Sequence, residues 1–252
     1  GCAYVPVSPK NPASRNRHIF QEAEVRIILS CEKMDHESFE NNPQVIYTNA
    51  LYDPGNENGL TCRFNKKEND LMYILYTSGS TGTPKGVSIS RKNLNAFMND
   101  FLKLGYQIDH TDRILQIYDL TFDASVHCYA LALFTGATAY TVSPEKIKYL
   151  QAYKLMHDHN ITFAKMPPST LSFLKPYFPS INLPYLKYSL FGGEAFPCSL
   201  AAEWQQCVPN ALIQNVYGPT EATINCLYHN IDNIQKIKCH DGVISIGKPP
   251  EN

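Results

Sequence analysis

The segment LMYILYTSGSTGTPKGVSISRKNLNAFMNDF, residues 71–101, changes its pattern twice. Residues 71–76 form a continuous apolar run that predicts a buried strand. A loop rich in Gly, Ser and Thr follows, and Ser90 then stands as a plausible N-cap before a helical pattern. Apolar residues recur at spacings of three and four in that pattern, which predicts one buried helix face. These residues are Leu94, Phe97, Met98 and Phe101.

The alternation of apolar runs and helical patterns continues through the rest of the chain. Further strands are predicted at residues 114–117, 137–142, 161–166, 185–191 and 212–216. Helices are predicted at 124–134, 149–157 and 199–207. This order is typical of an α/β fold with mostly parallel sheets and crossover helices. Residues 41–69 are polar and irregular, which predicts a surface connection.

Composition excludes several classes of protein. The chain has 252 residues, of which 44% are hydrophobic and 18% are charged, as expected of a globular protein with a sizeable core. A formal net charge of −1 gives no long-range attraction to nucleic acid or to an acidic membrane. No apolar run approaches the roughly 20 residues that a membrane-spanning helix needs.

The eight cysteines form no C-x-x-C pair and no cluster at zinc spacing. We therefore interpret them as buried small hydrophobes of a reduced protein, and we expect a cytoplasmic location. The pair His157 and His159 around Asp158 is not taken as a metal site, because no further ligand is suitably spaced.

The Gly-rich loop at residues 77–86 combines hydroxyls, glycines and one lysine. Such a loop suits phosphates, because backbone N–H groups approach closely, hydroxyls donate and Lys85 neutralises charge. The same composition also fits a flexible hairpin loop. A Walker A loop is excluded, because Gly86 rather than Ser or Thr follows Lys85. We expect this loop and those after 185–191 and 212–216 to lie at one sheet edge.

The string YTSGSTGTPKGV, residues 76–87, resembles the phosphate loop of the acyl- and aminoacyl-adenylate-forming (ANL) superfamily. Other motifs of that family follow its order along essentially the whole chain. They are AYVP at 3–6, FDAS at 122–125, GGEA at 192–195 and NVYGPTE at 215–221. The resemblance is strongest to adenylation domains of nonribosomal peptide synthetases and to D-alanine:carrier protein ligases.

The resemblance implies that ATP and Mg²⁺ bind here and that an amino acid becomes an aminoacyl-adenylate for a phosphopantetheinyl carrier protein. Tyr217 would stack on adenine, Thr220 would bind the α-phosphate and Glu221 would bind Mg²⁺. Lys85 would act over the β- and γ-phosphates, so that the catalytic set is Lys85, Thr220 and Glu221. The implied nucleotide-binding set is Thr77, Ser78, Gly79, Ser80, Thr81, Gly82, Gly193, Glu194, Ala195, Asn215, Tyr217, Gly218 and Thr220.

Each of these roles has a plainer alternative. Tyr217 could be a core aromatic residue, Lys85 a solvated lysine, and Glu221 an acid that stabilises the first turn of a helix. From its position alone, Asp123 fits an N-cap. The resemblance instead implies that Asp123 pairs with the α-ammonium group of an amino acid. An acyl-CoA or aryl-acid ligase, which usually lacks this Asp, remains the alternative enzyme.

The resemblance also implies a side-chain pocket of nine residues. They are Asp123, Ala124, His127, Lys165, Leu190, Gly192, Val216, Ile224 and Asn225. Lys165 lies at the end of an apolar strand, where an ammonium group needs a partner. An aspartate- or asparagine-like substrate could supply one, with His127 and Asn225 adding hydrogen bonds. Alternatively, Lys165 reaches solvent, phosphate or Glu194, and the substrate is small and neutral, such as alanine.

Later motifs of the family have no counterpart in the chain. We expect residues 1–252 to be a fragment of the adenylation-domain core without the C-terminal lid subdomain. A fragment without its lid would turn over poorly, or would act as a catalytically silent binding module.

Overall fold

The structure is a computed structural model that describes residues 2–33, 43–48, 67–78, 83–231 and 238–250. The chain divides into two compact units, Gly1–Leu94 and Asn95–Asn252. Within the described ranges, no helix combines the length and the apolar character that a membrane crossing requires.

Within its described residues, the first unit contains one helix, two pairs of strands and the start of a second helix. Helix α1 (Ala13–Glu22) precedes β1 (Ile27–Ser30), which pairs in parallel with β2 (Gln44–Tyr47). Strands β3 (Leu71–Ser78) and β4 (Pro84–Ser90) form an antiparallel hairpin. The predicted irregular connection at 41–69 therefore contains a strand, β2, and the rest of it lies largely outside the described residues.

The hairpin corrects one prediction about the Gly-rich loop. The strand before this loop belongs to a separate two-stranded sheet, and not to the main parallel sheet. Its neighbour β4 begins directly after the loop, with Thr77 paired to Lys85. Because the two strands are antiparallel, a short loop joins them without a crossover helix.

Helix α2 (Arg91–Lys103) begins as the sequence predicts. The Asn93 backbone N–H donates to Ser90 Oγ at 3.2 Å, and the Ser90 N–H donates to Asn93 Oδ1 at 3.1 Å. This reciprocal pair satisfies two N–H groups at the helix start. The four apolar residues predicted for the buried helix face are indeed buried.

The second unit is built on a six-stranded sheet with the order β10-β9-β8-β7-β5-β6. All neighbours are parallel except β10, which runs antiparallel to β9. The strands are β5 (Arg113–Gln116), β6 (Thr138–Thr141), β7 (Phe163–Met166), β8 (Tyr188–Phe191), β9 (Leu212–Tyr217) and β10 (Leu227–Ile231). The helices are α3 (Asp123–Thr135), α4 (Lys148–Asp158), α5 (Pro168–Leu174) and α6 (Cys198–Cys207). The predicted α/β fold class is therefore confirmed.

The core of this unit explains why these strands form. Every residue of β7 is buried, and the last three residues of β8 are buried too. Trp204 of α6 packs in the same cluster, and its Nε1–H donates to Ser189 Oγ at 3.0 Å. Lys165 in β7 is the exception to the apolar pattern, since it is only 1% exposed.

The cysteines differ from the sequence prediction. Cys2 and Cys31 are exposed rather than buried, while Cys62 lies outside the described residues. Cys198 at the start of α6 forms a disulfide with Cys239 of strand β11 (Cys239–His240). That strand pairs with β12 (Val243–Ile244), which a backbone bridge to residue 197 holds beside α6. No spacing motif marks this pair, because 41 residues separate its members.

Candidate active site

A buried lysine lies at the centre of the predicted side-chain pocket. Lys165 Nζ donates to Asn225 Oδ1 at 3.1 Å and lies 3.2 Å from His127 Nδ1. Burial lowers the pKa of Lys165 to about 8, although nearby Cys128 and Asp123 raise it. The structure places these three polar side chains of the implied pocket in contact with one another, and Lys165 is buried from solvent. Their role in binding a substrate stays a prediction.

His127 is the neutral partner of this lysine. Burial, together with the Lys165 ammonium, lowers the pKa of His127 well below its ordinary value. Because an ammonium group only donates, Nδ1 of His127 must accept, and the ring hydrogen is on Nε2. The edges and faces of Phe97 and Phe101 enclose the ring, with centroids 5.1 and 4.4 Å away. Nε2 is buried and has no hydrogen-bond partner among the described residues.

Asp123 is the first residue of α3 rather than its cap. The N-cap is Phe122, and the helix start has no side-chain capping bond, so the plainer alternative for Asp123 is wrong. Burial raises the pKa of the Asp123 carboxyl, while Lys165 and a hydrogen bond with Thr220 lower it. Its Oδ2 is buried without a partner among the described residues. Asp123 thus presents an unsatisfied acceptor next to the predicted phosphate-binding threonine.

A strained turn after β9 positions Asn225. A 3-10 helix, Thr220–Ala222, ends at Thr223 with φ 63°, and Ile224 follows with φ 73°. Left-handed backbone is unusual for β-branched residues and persists only where the surroundings enforce it. A Cβ at Gly218 would lie 2.6 Å from Asn225 Cα, so glycine is required for this close approach. The strain is therefore located where the turn delivers a pocket side chain.

Apolar residues form the rest of the predicted pocket. Leu190, Val216 and Ile224 are buried, Ala124 is half-buried, and Gly192 is buried at the end of β8. A Cβ on Gly192 would lie 2.6 Å from the Val216 carbonyl oxygen. The backbones of two neighbouring strand ends thus approach too closely for any larger residue.

The predicted adenine-binding residues lie at the same carboxyl edge of the sheet. Tyr217 ends β9 and is 45% exposed, so it is not a core aromatic residue. Asn215 is buried, and its amide nitrogen donates to the carbonyls of Ile244 and Ser245 at 3.4 and 3.1 Å. A base could therefore reach Asn215 only at its oxygen.

The turn after β8 is anchored by its acid. Both Glu194 oxygens accept from Ser169, at 2.9 Å from the backbone N–H and 3.0 Å from the hydroxyl. Gly193 precedes it with φ 83°, and Ala195 is exposed. The turn predicted to lie near the base is therefore fixed to the start of α5.

Sequence reasoning missed a cavity of about 390 Å³ beside this turn. Its walls include Gly193 and Glu194, and also Phe122, Tyr149 and Phe173. The last two rings stack with centroids 5.2 Å apart, and Phe122 is 62% exposed. Tyr149 on α4 is partly buried and Phe173 on α5 is exposed, and neither leaves a distinctive pattern in the sequence, so their contact is visible only in the fold.

The other predicted phosphate-binding residues belong to the first unit. Thr77 and Ser78 end β3, and Lys85 is exposed on β4. Gly79, Ser80, Thr81 and Gly82 lie outside the described residues. Their roles stay predictions.

Glu221 is the candidate ligand for Mg²⁺. It is exposed on the 3-10 helix, one residue after Thr220. In the part of the chain that the structure describes, no group of three or more His, Cys, Asp or Glu side chains could hold a metal. A single carboxylate nevertheless fits Mg²⁺, which keeps several waters and takes phosphate oxygens.

A family model described as "AMP-binding enzyme" matches residues 1–252. The chain belongs to the AMP-binding enzyme family. This match and the relatives below confirm the resemblance to adenylate-forming enzymes.

The curated relatives of this adenylation-domain chain are nonribosomal peptide synthetases and related synthases. Tyrocidine synthase 2 of Brevibacillus parabrevis is 31% identical over 262 residues, covering 100% of this chain and 7% of that protein. Zwittermicin A synthase ZmaJ of Bacillus cereus is 30% identical over 268 residues, covering 100% of this chain and 49% of that protein. The chain thus spans less than half the length of either relative.

Solved structures show the same adenylation-domain fold. The Vibrio cholerae adenylation domain AlmE, in complex with glycyl-adenosine-5'-phosphate, is 25% identical with a TM-score of 0.79. The match covers 99% of this chain and 51% of that one. IdnL7 is 26% identical with a TM-score of 0.80, covering 98% and 52%. The fold is therefore that of the N-terminal subdomain of adenylation domains.

Proposed function

We propose that this protein activates an amino acid with ATP. The amino-acid carboxylate attacks the α-phosphorus, the bond between the α- and β-phosphates breaks, and aminoacyl-AMP and pyrophosphate form. A phosphopantetheine thiol of a carrier protein then attacks the acyl carbon, and AMP leaves as the thioester forms.

One observation carries the proposal: Oδ2 of Asp123, at the start of α3, is buried without a hydrogen-bond partner among the described residues. Asp123 also lies close enough to Thr220 for that residue to lower the pKa of its carboxyl. An amino acid whose ammonium group binds the unpartnered Oδ2 of Asp123 would place its carboxylate near the threonine proposed for the α-phosphate. Such positioning of two reactants is the main contribution that an enzyme makes to transfer at phosphorus. An acyl or aryl acid without an α-amino group would leave that buried oxygen unsatisfied.

The remaining residues would bind the nucleotide and its charge. Tyr217 offers an exposed ring at the strand end, on which the adenine of ATP stacks. Glu221 would bind Mg²⁺, which neutralises phosphate charge as pyrophosphate leaves. Lys85 and the hydroxyls of the Gly-rich loop would bind the β- and γ-phosphates.

The test is amino-acid-dependent exchange of labelled pyrophosphate into ATP, measured with the protein at its native length. We expect exchange to fall by a factor of about a hundred or more in Glu221→Gln, because a charge-stabilising contact is lost. Asp123→Asn should mainly raise the KM for the amino acid. Glu203→Gln is the matched control, since Glu203 pairs with Lys175 on the surface of the same unit.

Two results would contradict the proposal. The first is that the Glu221→Gln variant exchanges pyrophosphate into ATP as fast as the Glu203→Gln control. The second is exchange supported equally well by carboxylic acids that lack an α-amino group, which would favour the acyl-acid ligase alternative.

A further inference from the structure

The buried ammonium of Lys165 is bonded to neutral groups only. Its hydrogen bonds are to a neutral imidazole and to a carboxamide oxygen. Among the described residues, no ion pair joins Lys165 to a carboxylate. A buried charge without a charged partner is costly, so this arrangement is suited to a ligand that brings the missing anion.

Asp123 is the acid that interacts electrostatically with Lys165, but in the proposed reaction its carboxylate binds the α-ammonium group of the substrate. Burial has the largest effect and lowers the pKa of Lys165, while the charge of Asp123 raises it. Once a substrate ammonium binds Asp123, those two charges cancel, and Lys165 is left as one uncompensated positive charge. A neutral substrate side chain would leave this charge buried and unbalanced.

A second unsatisfied group in the cluster also fits an anion. His127 carries its hydrogen on Nε2, which is buried without a partner among the described residues. His127 is 0% exposed and its ring is enclosed by Phe97 and Phe101, so it cannot turn toward water. The cluster therefore offers an ammonium group and an N–H donor, which are the groups that a carboxylate binds.

We propose that the amino acid activated at this site has an acidic side chain, of which aspartate is the reference, and that its side-chain carboxylate binds Lys165. This inference rests on the proposed function, because it assigns Asp123 to the α-ammonium group. Leu190, Val216 and Ile224 of the implied pocket are buried, and apolar surroundings of this kind strengthen a charge–charge interaction.

The experiment compares aspartate, glutamate, asparagine, alanine and phenylalanine in the exchange assay, with calorimetric binding as a second readout. We expect aspartate to be preferred over asparagine by about tenfold or more, since a charge-assisted bond replaces a neutral one. Lys165→Met should remove this preference. Lys187→Met is the matched control, because Lys187 is a lysine of the same unit paired to Asp112.

A second variant separates charge from shape. Asn225→Asp keeps the size of the side chain and the oxygen 3.1 Å from Lys165, but it supplies an internal anion. We expect the preference for aspartate over asparagine to be lost or reversed, a shift of about tenfold or more, because the internal anion repels a second carboxylate. A purely structural role of the cluster would not produce this exchange of preference.

The outcomes distinguish the two proposals. Preference for asparagine, alanine or phenylalanine over aspartate, unchanged in Lys165→Met, refutes the acidic substrate and leaves amino-acid activation standing. If no amino acid drives exchange, the proposed function fails. Calorimetry then decides the inference. Aspartate binding to the wild type that is abolished in Lys165→Met supports it. No aspartate binding, or binding that Lys165→Met leaves unchanged, refutes it.

Discussion

Removing the buried charge of Lys165 should change how stability depends on pH. The ordinary lysine pKa of 10.5 falls to about 8 in the folded chain, which corresponds to about 3 kcal/mol of destabilisation at neutral pH. The unfolded chain binds more protons than the folded one between these two values, so stability rises with pH across that window. Relative to Lys165→Met, we expect the wild type to gain roughly 2 to 3 kcal/mol between pH 7 and pH 10.

The assay is urea unfolding followed by the fluorescence of Trp204. This is the only tryptophan of the chain, and it is buried in the same unit as Lys165. Its emission therefore reports the unfolding of that unit. Free energies of unfolding for wild type and variant are compared at each pH, so that other titrating groups cancel.

Two controls make the comparison specific. Lys187→Met should show no such change from pH 7 to pH 10, because the hydrogen bond from Lys187 to Asp112 raises the lysine pKa. The stabilisation from this ion pair would be lost only as the pH rises through the raised pKa of Lys187. Lys165 and its Met variant are also compared with Asp123→Asn present in both proteins. Lys165 lowers the Asp123 pKa, so this background removes the contribution of Asp123 from the difference. A wild-type advantage that stays constant from pH 7 to pH 10 would refute the buried-charge reasoning.

Three further predictions concern single positions. Tyr217→Ala should weaken ATP binding about tenfold by calorimetry, because a stacking surface is lost, and unchanged affinity would remove Tyr217 from the adenine site. Gly192→Ala should lower the urea stability reported by Trp204 by about 2 kcal/mol, because the new Cβ would meet the Val216 carbonyl at 2.6 Å. Equal unfolding midpoints would contradict that clash. Ser90→Ala should lower the free energy of unfolding by about 1 kcal/mol, because the helix cap is lost. Circular dichroism during thermal unfolding measures this effect, and an unchanged midpoint would contradict the capping role of Ser90.

Four of the predicted strands, β5 and β7–β9, are mostly buried, whereas the predicted strands β3 and β6 are partly or largely exposed. Continuous apolar runs identified β5 and β7–β9, because parallel strands covered by helices are apolar throughout. The ends were less certain: the predicted strand 161–166 begins two residues later, at Phe163. Strands β4 and β10 were missed, since the alternation in PKGVSIS covers only four residues, LYHNI shows none, and both strands depend on partners supplied by the fold.

The site was predicted as a set of residues but not as a geometry. Spacing could not show that Lys165 donates to both His127 and Asn225, because these contacts span 38 and 60 residues. It also gave no sign of the left-handed backbone at Thr223 and Ile224, since β-branched residues rarely adopt it. Such local exceptions are common at functional sites, where tertiary contacts override propensity.

The origin of the lysine cluster in three distant segments has a consequence for recombination. Asp123 and His127 come from one helix, Lys165 from a central strand, and Asn225 from a turn that needs a glycine at position 218. A chimera with a crossover anywhere between residues 123 and 225 would join halves of two different recognition sets. Specificity should therefore transfer between related proteins only as one uninterrupted cassette that includes this whole interval.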